Sequence, residues 1–233
     1  LQAHPPTSLN DLSPTAPARA RLAFDELLAN QLALQLIRQQ TKSALPGRVI
    51  AGNGKMTEKL LPLLPFVPTS AQQRVIAEIT ADQSTPERML RLLQGDVGSG
   101  KTFVALMAIL TAIEAGAQAA LLAPTEILAR QHYQGLSKLL KPLGLTPVLL
   151  SGSTKQKARQ DILQGLADGS CQIAIGTHAL LTEEVVFADL ALAVVDEQHR
   201  FGVRQRLVLG QKGKHCDVLV MTATPIPRTL AMT

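Results

Sequence analysis

Tryptophan is absent from the 233 residues, tyrosine occurs once and phenylalanine five times. That leaves little for an aromatic platform on which bases could stack, so a nucleic-acid partner would be met through its backbone rather than read base by base. The two cysteines, Cys171 and Cys216, lack C-x-x-C spacing, which argues against a disulfide framework and a cysteine zinc site. A reducing, cytosolic compartment is the expectation. No apolar run reaches membrane-spanning length, and no signal peptide, lipidation signal, internal repeat or low-complexity tract is present. Long lysine or arginine blocks are missing too. The net charge of +5, from 23 basic and 18 acidic side chains, fits a nucleic-acid partner, but the excess is spread out: residues 1–64 hold seven of the basic and four of the acidic groups. The chain opens on Leu1 rather than methionine and is expected to be a segment of a longer polypeptide.

What is present is 46% hydrophobic content, ample for a core, and one stretch around which the rest is organised. Gly95-Asp96-Val97-Gly98-Ser99-Gly100-Lys101-Thr102 matches G-x-x-x-x-G-K-[ST] in full. The short apolar run Met89 to Leu93 precedes it, and a helical periodicity over Phe103 to Ala115 follows, which is the strand, loop and helix setting that a phosphate cradle requires. Gly95, Gly98 and Gly100 let the backbone turn and present its N–H groups, with Ser99, to a polyphosphate at the positive end of the helix. Lys101 is placed to reach the β- and γ-phosphates and Thr102 to offer a hydroxyl to Mg²⁺.

From Met89 onward, apolar runs at Met89–Leu93, Ala119–Leu122, Pro147–Leu150, Gln172–Ile175, Leu190–Val195 and Val218–Met221 alternate with amphipathic helical stretches. That alternation predicts an α/β fold with a mostly parallel sheet covered by helices on both faces, and a ligand beyond the carboxyl ends of the strands. Upstream, four prolines in residues 1–17 read as a linker, and Ala20, Phe24, Leu27, Leu28, Leu32 and Leu36 mark a helix over about 18–40. The boundary is placed at residue 64, with a linker and helical extension over 1–64 and the main domain over 65–233. Thr69 is expected to cap a helix from about Ser70 to Thr80.

The strand Leu190 to Val195 runs into Asp196-Glu197-Gln198-His199. Read alone, an acidic pair after a strand is a helix cap with a first-turn charge. Downstream of a complete phosphate loop, Asp196 becomes a candidate Mg²⁺ ligand with Thr102, and Glu197 a candidate base for the attacking water. Met221-Thr222-Ala223-Thr224-Pro225 ends the last strand with two hydroxyls that could sense a γ-phosphate, or simply a β-branched strand end stopped by proline. Thr125 and Thr177 also follow strands, where each reads either as an ordinary helix cap or as a donor to a nucleic-acid backbone. Phe66 could stack on a purine and Gln72 could pair with its amide-matching edge, or both could be plain surface residues.

In this order the motifs resemble the first motor lobe of superfamily 2 helicases and translocases, which has a RecA-like fold. GDVGSGKT looks like motif I, APTEILARQH like Ia, GTHALL like Ib, DEQH like the DExH-box motif II and TATPIPRT like III, while LPFVPTSAQ looks like the adenine-reading segment. The likeness covers about residues 62–233 and is nearest to bacterial branch-migration helicases, with the transcription-repair coupling factor Mfd next. Gln198 stands where Mfd-like chains usually carry a second glutamate. The resemblance implies ATP held by Lys101 and Thr102, Mg²⁺ by Asp196, water activation by Glu197, adenine recognition by Gln72, coupling through His199, Thr222 and Thr224, and DNA contact through Thr125, Arg130, Thr177 and His178. It also implies a bacterial, nucleoid-associated protein acting on branched or double-stranded DNA. The helix over 18–40 would be the connector from an N-terminal wedge domain. A second RecA-like lobe with its arginine finger would lie beyond Thr233, so the chain alone is expected to be nearly inactive. Two other readings compete: a P-loop kinase or phosphotransferase, in which DEQH and TAT are not expected, and a nucleotide-binding module without catalysis.

Overall fold

The computed structural model describes residues 47–196, 212, 213 and 215–223, together with Arg21, Phe24 and Leu28. Leu45–Ile226 make one compact unit, and Leu1–Ala44 with Pro227–Thr233 make a second. Of the helix expected over 18–40, Arg21, Phe24 and Leu28 are helical, with the Arg21 guanidinium 5.9 Å from the centroid of the Phe24 ring. The rest of that helix lies outside the described residues.

The apolar runs become β1 (Leu90–Gln94), β2 (Gln118–Leu122), β3 (Val148–Leu150), β4 (Ile173–Gly176), β5 (Leu190–Asp196) and β6 (Asp217–Thr222). They form one sheet in the order β1-β6-β5-β2-β4-β3, and every pairing is parallel. All residues of β2, β4, β5 and β6 are buried, which is why these strands read as continuous apolar runs rather than alternating ones. Their side chains still divide by parity between two cores. Leu192 and Val194 of β5 with Leu219 and Met221 of β6 enter one core, while Ala193, Val195, Val218 and Val220 enter the other.

The described helices are α1 (Lys55–Leu60), α2 (Ser70–Gln83), α3 (Lys101–Glu114), α4 (Glu126–Leu140) and α5 (Gln156–Ala167). In α3 every residue from Phe103 to Ile113 is buried, so this helix is apolar all round and sits inside the first core. Residues 47–64 share that core through Ile50 and Leu60. Glu114 at the end of α3 accepts from the Gly54 N–H at 2.7 Å and from the Met56 N–H, which fixes the start of α1. Both cysteines are free thiols, and burial pushes Cys216 up to about 12, so it carries no thiolate chemistry near neutrality.

The parallel order has one consequence for function. β1, β6 and β5 are consecutive in the sheet, so the loops leaving them emerge side by side at the carboxyl edge. They follow Gln94, Thr222 and Asp196, the last residues of these strands, and neighbours at such an edge are where α/β folds place ligands.

Candidate active site

The phosphate loop leaves β1 at Gly95, whose N–H donates to the Thr222 carbonyl of β6 at 3.2 Å. Gly98 and Gly100 take φ of 84° and 83°, the left-handed region that side chains disfavour. At Gly100 a Cβ would also displace the Gln72 carboxamide, so the positive φ is what requires glycine there and the close approach of Gln72 adds to it. Gly100 starts α3 without a side-chain cap; its carbonyl accepts from the Phe103 N–H at 2.9 Å, which leaves the Lys101 and Thr102 N–H groups of the first turn without an acceptor on the cap residue. Lys101 is folded over the loop, its Nζ donating to the carbonyls of Gly95 at 2.6 Å and Asp96 at 2.8 Å. An ammonium and an open helix N-terminus on one glycine loop suit a polyphosphate, whose oxygens would replace the two carbonyls as lysine partners.

Asp196 is the last residue of β5, 8% exposed, and its Oδ2 lies 2.7 Å from the Nε2 of His132 in α4. Among the described residues no group of three or more His, Cys, Asp and Glu could hold a metal ion by itself. A cation here would therefore need Asp196, Thr102 and phosphate oxygens together, and a hydroxyl with a carboxylate is a hard oxygen set that fits Mg²⁺. Thr222 is fully buried at the end of β6, level with Gln94 at the end of β1. Glu197, His199 and Thr224 lie outside the described residues. His132 is the residue that sequence reading missed.

The segment before α2 supplies a different kind of contact. Thr69 and Gln72 form a reciprocal capping box: Thr69 Oγ1 accepts from the Gln72 N–H at 3.2 Å, and Gln72 Oε1 accepts from the Thr69 N–H at 2.9 Å. The other end of the same carboxamide donates from Nε2 to the Ser99 carbonyl at 2.9 Å, tying α2 to the phosphate loop. Phe66 meets Phe103 edge to face, with centroids 5.3 Å apart, and lines a groove of about 470 Å³ with Val67, Pro68, Gln73 and Phe103. Phe66 keeps 44% of its surface exposed, so its ring is open on one side.

A second cluster forms where β2, β3 and β4 end. Thr125 caps α4, accepting from the Leu128 N–H at 3.3 Å, and Glu126 reaches the loop after β3. There Glu126 accepts from the Ser153 N–H at 3.0 Å and the Ser153 hydroxyl at 2.8 Å, while Arg130 Nη2 donates to the same hydroxyl at 2.9 Å. The Ser153 hydroxyl, aided by the charge of Arg130, holds the Glu126 carboxyl below its ordinary range. Thr177 behaves otherwise. It heads the short 3₁₀ turn His178–Leu181 without capping it, is 2% exposed, and its hydroxyl finds no partner among the described residues, so the reading as an ordinary cap is corrected. His178 beside it is exposed. The three-way contact of Ser153 with Glu126 and Arg130 joins the loop after β3 to the start of α4.

A phosphate loop, a buried strand-end aspartate and a buried strand-end threonine along the edge of one parallel sheet define a RecA-like P-loop NTPase domain. The comparisons narrow this further. Residues 69–233 match the model of the DEAD/DEAH box helicase family, and the chain belongs to that family, whose members use ATP. It is 52% identical over 223 residues, 93% of this chain and 32% of the relative, to the ATP-dependent DNA helicase RecG of Haemophilus influenzae. It is 48% identical over 239 residues, all of this chain and 34% of the relative, to that of Escherichia coli O157:H7. Among solved structures, RecG bound to a three-way DNA junction superposes with a TM-score of 0.78 at 45% identity, over 92% of this chain and 29% of that one. The chain is thus a RecG-like helicase motor domain, spanning about a third of the length of the curated relatives it matches. Among the described residues no helix is long and apolar enough to cross a membrane.

Proposed function

We propose that the chain is the ATP-binding lobe of a motor that remodels branched DNA during recombination and repair, by fork reversal and Holliday-junction branch migration. The observation that carries this reading is the hydrogen bond from Gly95 to Thr222: it joins the phosphate loop to the strand end that leads into Thr224. A change in the loop on losing a phosphate has a direct route to that segment. The likeness to a RecG that was solved on a three-way junction supports the choice of branched DNA.

In this reading Lys101 and the α3 N-terminus hold the β- and γ-phosphates. Thr102 and Asp196 hold Mg²⁺, which would neutralise charge on the phosphate oxygens. Glu197 orients the attacking water and takes its proton. Phe66 offers its open ring face to adenine, and Gln72 reads the base by exchanging one of its present partners. Thr222, Thr224 and His199 couple hydrolysis to movement. Thr125, Arg130 and His178 serve the DNA backbone, with Arg130 and His178 already at the surface, while the enclosed Thr177 would first have to be uncovered to join them. The opposing wall of the cleft is assigned to a second RecA-like lobe, and the grip on the junction to a wedge domain, in a polypeptide of the relatives' length. A cation arriving from that second lobe would contribute about 10³ to 10⁵ in rate, by the measure of related phosphoryl-transfer enzymes.

Binding of a fluorescent ADP to the 233-residue chain, with and without Mg²⁺, tests the nucleotide half of this reading. Filter binding of a three-way junction at rising salt tests the DNA half. Mg²⁺-dependent nucleotide binding and weak junction binding that falls steeply with salt are expected. A chain that binds neither would contradict the proposal.

A further inference from the structure

His132 lies outside every role assigned above, yet it makes the closest polar contact of the Asp196 carboxylate among the described residues, at 2.7 Å. Both side chains are nearly enclosed, each 12% exposed. An ionised carboxylate can only accept, so the Nε2 of His132 carries the hydrogen and donates it to Oδ2. One oxygen of Asp196 is thereby committed to the protein, and the direction of the other is set by the ring that holds the first. The contact comes from a helix packed on the sheet rather than from the strand edge itself. α4 follows β2, β2 is hydrogen-bonded beside β5 with Leu122 level with Val195, and the helix thus brings its second turn back to the end of β5.

We propose that His132 is the positioning residue for Asp196: by holding Oδ2 it fixes the orientation in which Oδ1 meets a divalent cation. The inference rests on the assignment of Asp196 to Mg²⁺ in the function proposed above. Hydrogen-bond partners of metal ligands orient them, and their loss commonly costs 10- to 100-fold in metal affinity. Without the imidazole, Asp196 would be a buried carboxylate lacking its partner, free to rotate or to seek another donor.

The test is a titration of Mg²⁺ against the binding of N-methylanthraniloyl-ADP to the full chain. His132→Leu keeps side-chain bulk without a donor, and His132→Gln returns an N–H at the reach of Nε2. In His132→Leu, half-maximal binding should need about tenfold more Mg²⁺, while binding in EDTA, which depends on Lys101, stays at the level of the unsubstituted chain. His132→Gln should recover most of the difference, and in an Asp196→Asn background His132→Leu should add nothing. Should His132→Leu be too unstable to titrate, His132→Ala, which admits water to the carboxylate, takes its place. An unchanged Mg²⁺ requirement in the donor-free variant overturns the inference. So does an equal defect in the leucine and glutamine variants, or an equal loss with and without Mg²⁺, which marks a merely structural role. If the unsubstituted chain itself binds nucleotide without any response to Mg²⁺, the assignment of Asp196 fails and this inference with it, a result distinct from the other three.

Discussion

Gln72 and Ser99 are joined by a hydrogen bond of 2.9 Å from the glutamine carboxamide to the serine carbonyl, across 27 residues of sequence. The same carboxamide closes the capping box of α2. Helix start and phosphate loop therefore share one side chain. Gln72→Ala should lower stability by about 1 kcal/mol, the usual size of a lost cap or hydrogen bond, and weaken nucleotide binding as well. Urea melts and fluorescent-ADP binding check the two effects. Lower stability with unchanged affinity would limit Gln72 to its capping role.

The Lys101 ammonium donates to two loop carbonyls. Lys101→Ala should leave the thermal melt close to that of the unsubstituted chain. Nucleotide binding should fall at least tenfold, and ATP turnover in a polypeptide of the relatives' full length should be lost. A collapsed melting curve would make the lysine structural instead.

Asp196 and Glu197, consecutive in the sequence, should separate by Mg²⁺ dependence. Glu197→Gln should keep Mg²⁺-dependent nucleotide binding and lose hydrolysis, whereas Asp196→Asn should lose the Mg²⁺ response itself. Titrations at varied Mg²⁺ that show both variants alike would remove the division of roles.

Asp217 gives a pH prediction independent of the active site. It is fully buried at the start of β6, accepting from the Met89 N–H at 2.8 Å while its other oxygen has no partner among the described residues. Burial raises its carboxyl from 3.8 to about 7, against the opposing effects of the Met89 bond and the Arg88 charge. The folded chain thus holds a proton that the unfolded chain releases near pH 4. The stabilising contribution is complete below about pH 4 and is lost as pH rises to about 7, at a cost of up to about 4 kcal/mol. Asp217→Asn keeps an acceptor for Met89, so the stability difference between the variant and the unsubstituted chain should shift in the variant's favour from pH 5 to pH 8. Parallel pH slopes in urea melts would contradict this.

Much of this site is local in sequence and was legible there. The phosphate loop is eight consecutive residues between a strand and a helix, and its glycines announce the backbone geometry they adopt. Asp196 and Thr222 are strand ends, which apolar runs reveal directly. His132 was not legible, because its meeting with Asp196 depends on β2 lying beside β5, a matter of strand order that alternation alone does not determine. Gln72 reads in the sequence as an adenine-pairing amide or a plain surface residue, but its tie to Ser99 requires the relative placement of α2 and α3. Thr177 looked like Thr125, a threonine after a strand; the difference is that Thr125 opens onto a full α-helix and caps it, while Thr177 is enclosed above β4 and caps nothing.

ATP turnover measured with and without a three-way DNA junction, in a polypeptide of the relatives' full length carrying this chain, tests the central claim most directly. Turnover that rises strongly with the junction, rises less with linear duplex of the same length, and disappears in Lys101→Ala is the predicted result. Turnover that ignores DNA, or that survives the loss of Lys101, would contradict the assignment of this sheet edge as the nucleotide site of a DNA-remodelling motor.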